Sequence, residues 1–193
     1  MYGGKVVGGN VTTNGGAVYV MSKSQFNIFG GTIEGGTAGE RGGNIYTEGQ
    51  LNISGGVITG GTAKNGGNIY MNTGAVVSIT GGEISGNEGY NGGAICVGGA
   101  DADCVPAAFY MYGGKITGNK ARGNGGAIYL DSRSVAVIEN GEVTENTTAA
   151  KAEAVLVSGA YAQLTVSGTT KLDGVVYTSA DNAGLKVNGL TNG

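Results

Sequence analysis

Gly113-Gly114-Lys115-Ile116-Thr117-Gly118-Asn119, followed after four intervening residues by Asn124-Gly125-Gly126-Ala127-Ile128-Tyr129, is one copy of a phrase that this chain repeats. Earlier copies read Gly30-Gly31-Thr32-Ile33 with Gly42-Gly43-Asn44-Ile45-Tyr46, Gly55-Gly56-Val57-Ile58 with Gly66-Gly67-Asn68-Ile69-Tyr70, and Gly81-Gly82-Glu83-Ile84 with Gly92-Gly93-Ala94-Ile95. The second glycines of the leading pairs, from Gly4 through Gly31, Gly56, Gly82 and Gly114 to Gly141, are separated by 27, 25, 26, 32 and 27 residues. A fixed period of this size is the signature of a solenoid, in which each repeat buries its apolar face only against its neighbours.

Composition narrows the class. Among 193 residues there are 42 Gly, one Pro, no His and no Trp. No every-third-glycine register is present, which excludes a collagen helix. Val, Ile and Leu recur at fixed places in each repeat, which a flexible Gly/Ser tract would lack. Glycine is therefore read as corner chemistry, supplying the positive φ of tight turns between short strands.

Three strands per repeat follow from alternation. Phe26-Asn27-Ile28, Leu51-Asn52-Ile53, Val77-Ser78-Ile79 and Phe109-Tyr110-Met111 form the first set. The second follows the leading Gly-Gly, with Val6, Ile33, Ile58, Ile84, Ile116, Val143 and Leu172 as its inward column. In the third, Ile45, Ile69, Ile95 and Ile128 look inward and the tyrosines beside them outward. Three strands and three corners in a loose, Gly-cornered period predict an all-β, right-handed parallel β-helix of about seven rungs, stacked at roughly 4.8 Å. A left-handed hexapeptide helix needs a stricter period, and a leucine-rich repeat its own Leu frame; neither is present. Glu83, Lys115 and Glu142 share one outward column, and Asn87, Asn119 and Asn146 one corner, so axial ladders of charge and of amide are expected.

The units at 113–119 and 124–129 resemble the repeats of polymorphic outer-membrane-protein-like and adhesin-like bacterial surface proteins, whose passenger regions look like pectate-lyase-type β-helices. The likeness covers roughly residues 1 to 157. It implies a large secreted or wall-attached parent protein, an extracellular or cell-surface location, and a role in adhesion or scaffolding. The chain opens inside a repeat, so residues 1–193 are expected to form a single β-helical domain cut from a longer chain.

Net charge is −3 and the sequence pI about 4.9, so there is no electrostatic footprint for nucleic acid. No apolar run approaches the roughly twenty residues of a spanning helix, and no membrane insertion of this segment is expected. Tyr19, Tyr46, Tyr70 and Tyr129, with Asn44 and Asn68 as outward amides, are candidates for a shallow face on which a sugar ring would stack. The competing reading is a self-stacking tyrosine ladder that shields the sheet. The long repeat carries an insertion at 98–108, where Asp101 and Asp103 approach the place of Asp131 on the next rung, a hard-oxygen arrangement suited to Ca²⁺. A solvated acidic loop is the alternative. Cys96 and Cys104 flank this loop and are either a local disulfide or two ordinary thiols. Without histidine no Ser-His-Asp or Cys-His centre can be built. The expected function is thus a non-catalytic structural or adhesive rod, monomeric or associating end to end, whose partner is a host or environmental glycan or a surface receptor. A polysaccharide lyase or glycosidase, with its active residues on the Asp101 loop, is the alternative.

Overall fold

The computed structural model describes residues 1–150 and 152–188, and they form a right-handed parallel β-solenoid. Among the described residues three sheets of 12, 6 and 7 strands form its walls, with every strand pairing parallel between equivalent residues of successive turns. The seven-stranded wall requires about six complete circuits of the chain, one fewer than the rung count expected. Stacking also continues beyond the point where the repeat phrase fades. Gln163–Ser167, Lys171–Leu172, Val176–Thr178 and Gly184–Asn188 each pair in register with the turn before.

Wall assignment differs from the sequence expectation in one respect. The first and second strand sets belong to a single 12-stranded sheet bent at the leading Gly-Gly, and Ala108–Thr117 and Val135–Thr144 run through that bend as single strands. The third direction is supplied instead by the short polar stretch, at Asn10–Val11, Thr37–Ala38, Thr62–Asn65, Glu88–Asn91, Lys120–Asn124 and Thr147–Thr148. Its inward positions are Ala38, Ala63, Gly89 and Ala121, all buried. A wall lined by such small side chains shows no Val/Ile alternation, which is why it escapes a reading by hydrophobic period.

Columns of large apolar residues fill the interior. Ile33, Ile58, Ile84, Ile116 and Val143 are at most 1% exposed and stand in one register, with Val6 and Leu172 half-buried at its two ends. Opposite them run Ile45, Ile69, Ile95, Ile128 and Val155. Each such side chain contributes about 1.5–3 kcal/mol by leaving water. At the corner before Ile69, Gly66 has φ +64°, and a Cβ on Gly67 would lie 2.2 Å from the carbonyl oxygen of Gly93 on the next turn. Only glycine lets the turns approach so closely.

The asparagine corner forms the expected ladder. The Oδ1 of Asn119 accepts from the Asn87 backbone N–H at 3.1 Å and from Asn87 Nδ2 at 2.7 Å, and the Oδ1 of Asn146 accepts from the same two groups of Asn119 at 3.0 and 2.9 Å. The charge column is weaker. Lys115 pairs with Glu142 at 3.2 Å, half-exposed, in a class of interaction worth about 0–1 kcal/mol.

Ile84→Asp places an unpaired carboxylate among apolar columns and is expected to cost about 4 kcal/mol or more. Ser85→Asp, one residue on and facing outward between Thr59 and Thr117, should change stability by about 0.5 kcal/mol or less. Equal midpoints for the two variants in denaturant melts would show the register to be wrong. Asn119→Ala removes the acceptor of a buried N–H, with an expected loss of about 2–4 kcal/mol in the same assay.

Candidate functional site: the tyrosine wall and the inserted loop

Tyr19, Tyr46, Tyr70, Cys96 and Tyr129 occupy one outward column of the seven-stranded wall. Axial stacking brings their rings together: Tyr19 lies 4.8 Å from Tyr46, and Tyr46 lies 5.6 Å from Tyr70 with planes 4° apart. The open aromatic face expected from the sequence is correspondingly reduced. Tyr46 and Tyr70 are 3% and 8% exposed, and Cys96 packs between Tyr70 and the half-buried Tyr129. Only Tyr19, 49% exposed, presents a large part of its ring. The guanidinium of Arg41 lies 4.9 Å from the Tyr70 ring centroid and covers that ring. The wall thus carries the self-stacking ladder.

Asn44 and Asn68 are not outward amides. Both are fully buried. The Asn68 carbonyl accepts from both the Asn44 and Ile45 N–H groups, at 3.0 and 2.9 Å, so two residues face one and the inside-outside alternation breaks there. Asn44 then turns into the corner, where its Oδ1 accepts from the Gly36 N–H at 2.8 Å and its Nδ2 donates to the Thr59 carbonyl at 2.9 Å. Asn68 Nδ2 donates to Asn87 Oδ1 at 2.8 Å.

The tyrosine hydroxyls have unequal surroundings. Tyr19 donates to Glu48 Oε1 at 2.9 Å and Tyr46 to the same oxygen at 3.4 Å. Desolvation, the hydrogen bond to Glu48 and its charge push Tyr19 up to about 12. Burial, with Cys96, Tyr46 and Asp131 adding and Arg41 opposing, does the same for Tyr70, also to about 12. Both are neutral phenols at physiological pH. Among the described residues the Tyr70 hydroxyl has no hydrogen-bond partner; its tip lies where a Cβ on Gly98 would come within 2.6 Å.

Gly98 is the root of the inserted loop, which runs from 98 to 107 between Ile95–Val97 and Ala108–Thr117. Its root is pinned. Gly98 N–H donates to the Met71 carbonyl at 2.8 Å, Thr73 Oγ1 donates to the Gly99 carbonyl at 3.0 Å, and Ala100 N–H donates to the Ser132 carbonyl at 2.9 Å. The loop then walls a depression of about 350 Å³ at whose edge Tyr70, Arg41, Asn72, Asp101, Asp131 and Ser132 meet. Asp131 Oδ1 accepts from the Ser132 N–H at 2.7 Å, and Gly99 leaves room for this carboxylate, since a Cβ there would lie 3.1 Å from Asp131 Cγ.

The three-carboxylate calcium arrangement is not assembled. Asp101 and Asp131 border the depression but Asp103, exposed, is not part of its lining, and among the described residues no three His, Cys, Asp or Glu side chains are grouped to hold a metal ion. Cys96 and Cys104 are free thiols, the first buried in the tyrosine column and the second exposed on the loop. Burial, with the charge of Asp131 adding, drives the Cys96 thiol far above its ordinary range. A thiol-specific chromogenic reagent should therefore modify one cysteine per native chain and two in denaturant. Two fast-reacting thiols in the native protein would mean that the column is open, and none would mean a disulfide.

Comparison with protein-family models, with curated proteins and with solved structures finds no match to this chain.

Proposed function

We propose that the chain is a rigid, non-catalytic segment of a bacterial cell-surface or secreted protein, a stalk that also presents a shallow glycan-binding surface on the tyrosine wall. The carrying observation is that successive turns stay in parallel register on three walls with one insertion among them. Turns coupled by continuous hydrogen-bond ladders bend and shear together, which suits a spacer. A polysaccharide-cleaving groove ordinarily needs long loops on several turns to wall it. The other five connections leaving this wall, between Val20 and Gln163, span two to five residues each. The resemblance of the Gly-Gly-Lys-Ile-Thr-Gly-Asn and Asn-Gly-Gly-Ala-Ile-Tyr units to adhesin-like repeat proteins supports the surface location and the adhesive role.

One observation favours a second reading. Asp101 and Asp131 border the same depression, and paired carboxylates are the working groups of glycosidases. Incubating the protein with a panel of plant and host polysaccharides separates the two. Retention on one or more polysaccharides without shortening of the chains is the expected outcome. Shortening that stops in Asp101→Asn or Asp131→Asn would replace the stalk with an enzyme, and no retention at all would remove the adhesive part.

A further inference from the structure

The geometry points to the depression beside the inserted loop as a subsite for one amino-sugar ring, its ammonium group held by Asp101 and Asp131 and its hydroxyls by Tyr70, Asn72 and Arg41. This rests on the glycan-binding reading above and names the place and the chemistry.

Three observations carry it. Periodicity is the first. The insertion at 98–107 is the one connection of its wall that departs from the short turns, and insertions in a solenoid are where a binding surface is added. Its root is stapled to the turns before and after it, so the wall of the depression is held in place before any ligand arrives. The second observation is the Tyr70 hydroxyl. Tyr70 is more than nine-tenths buried and borders the depression, yet its hydroxyl is unpaired among the described residues, whereas Tyr19 and Tyr46 both donate to Glu48. The ring is buried, but the hydroxyl is not among the buried atoms left without a partner, so its hydrogen bond is to be made in the depression, by water or by a ligand that displaces it. As a neutral group the phenol both donates and accepts, which suits a sugar hydroxyl.

Charge is the third and selects the ring. Two carboxylates face the depression against one guanidinium. The Arg41 guanidinium is already drawn over the Tyr70 ring. A carboxylated or sulfated sugar would meet the surplus negative charge, whereas an ammonium group satisfies it. The same Arg41 contact blocks ring-on-ring stacking at Tyr70, so recognition falls to polar groups at the rim. The volume, about 350 Å³, lies at the lower end of small-molecule sites and suits one or two rings.

The test is an NMR titration of the intact chain with three tetrasaccharides of β-1,4-linked glucosamine, of its N-acetylated form, and of glucose. The glucosamine tetramer should bind with a Kd on the order of millimolar and shift amide signals of the loop and of Asp131-Ser132, with the other two at least about tenfold weaker. Tyr70→Phe, which keeps the ring and the ladder, should weaken binding about fivefold without moving the thermal midpoint, and Asp131→Asn about tenfold. Tyr112→Phe, exposed on the bent 12-stranded wall away from the tyrosine wall, should leave binding unchanged. Glycan binding that is indifferent to the amine, or that survives both Tyr70→Phe and Asp131→Asn, would overturn this subsite and leave the glycan-binding surface standing. No binding to any of the three, with no retention on polysaccharides, would overturn both.

Discussion

One constraint governs the rest of this solenoid: the corner between the bent wall and the small-residue wall is filled, in five successive turns, by one buried amide. Two solutions are used. In two turns the corner residue is Gly36 or Gly61, and the amide comes from across the interior, from Asn44 or Asn68. In the next three the corner residue is itself Asn87, Asn119 or Asn146, and the facing position is Ala94, Ala127 or Ala154. The exchange of Gly with Asn for Asn with Ala keeps the hydrogen-bonding capacity of the corner and changes its volume by no more than a methyl group, as close packing demands. Its function is plain from the bonds made: Asn44, Asn119 and Asn146 each accept from a backbone N–H at the bend and donate to a backbone carbonyl, groups that the turn would otherwise leave unpaired.

Where the two solutions meet, the match is imperfect. Asn87 reaches back and takes the Gly61 N–H at 2.8 Å, the bond that Asn68 would make by analogy with Asn44 and Gly36. Asn68 Oδ1 is left as a buried oxygen without a partner among the described residues. An orphaned acceptor of this kind costs about 1–3 kcal/mol. The middle of the rod therefore contains a local weak point at the change of pattern, one turn before the inserted loop.

Much of this architecture is legible from sequence because it rests on large side chains. The register of Ile33, Ile58, Ile84 and Ile116 can be read from the phrase alone, and so can the Asn87, Asn119 and Asn146 ladder, since both recur at the solenoid period. The small-residue wall is not legible, because Ala38, Ala63, Gly89 and Ala121 carry no contrast against their polar neighbours. Strict alternation puts Asn44 and Asn68 outward, and it fails where one carbonyl accepts from two successive N–H groups. Their partnership with Gly36 and Gly61, against Ala94 and Ala127 opposite Asn87 and Asn119, is the signal in the sequence that identifies them as interior. Burial of Tyr46 and Tyr70 depends on Arg41, five residues before Tyr46, folding over the column, and no periodic pattern announces such a contact.

A periodic rod has little room for recognition on its own walls, because the interactions that stack its turns also consume the outward groups. Tyrosine rings here are spent on one another, hydroxyls on Glu48, and Lys115 and Arg122 on Glu142 and Glu88. Specific chemistry can enter only where the period is interrupted. The insertion achieves this without disturbing the stack: Val97 still pairs with Met71 and Leu130 on one side of it, and Ala108 with Val76 and Val135 on the other. Closing a ten-residue loop in place of a four-residue one adds about 0.8 kcal/mol of chain entropy, since the penalty grows only with the logarithm of length. The scaffold therefore tolerates the loop at a small loss of stability, and the loop in turn places Asp101 and Gly98 beside Tyr70, whose hydroxyl has no hydrogen-bond partner among the described residues.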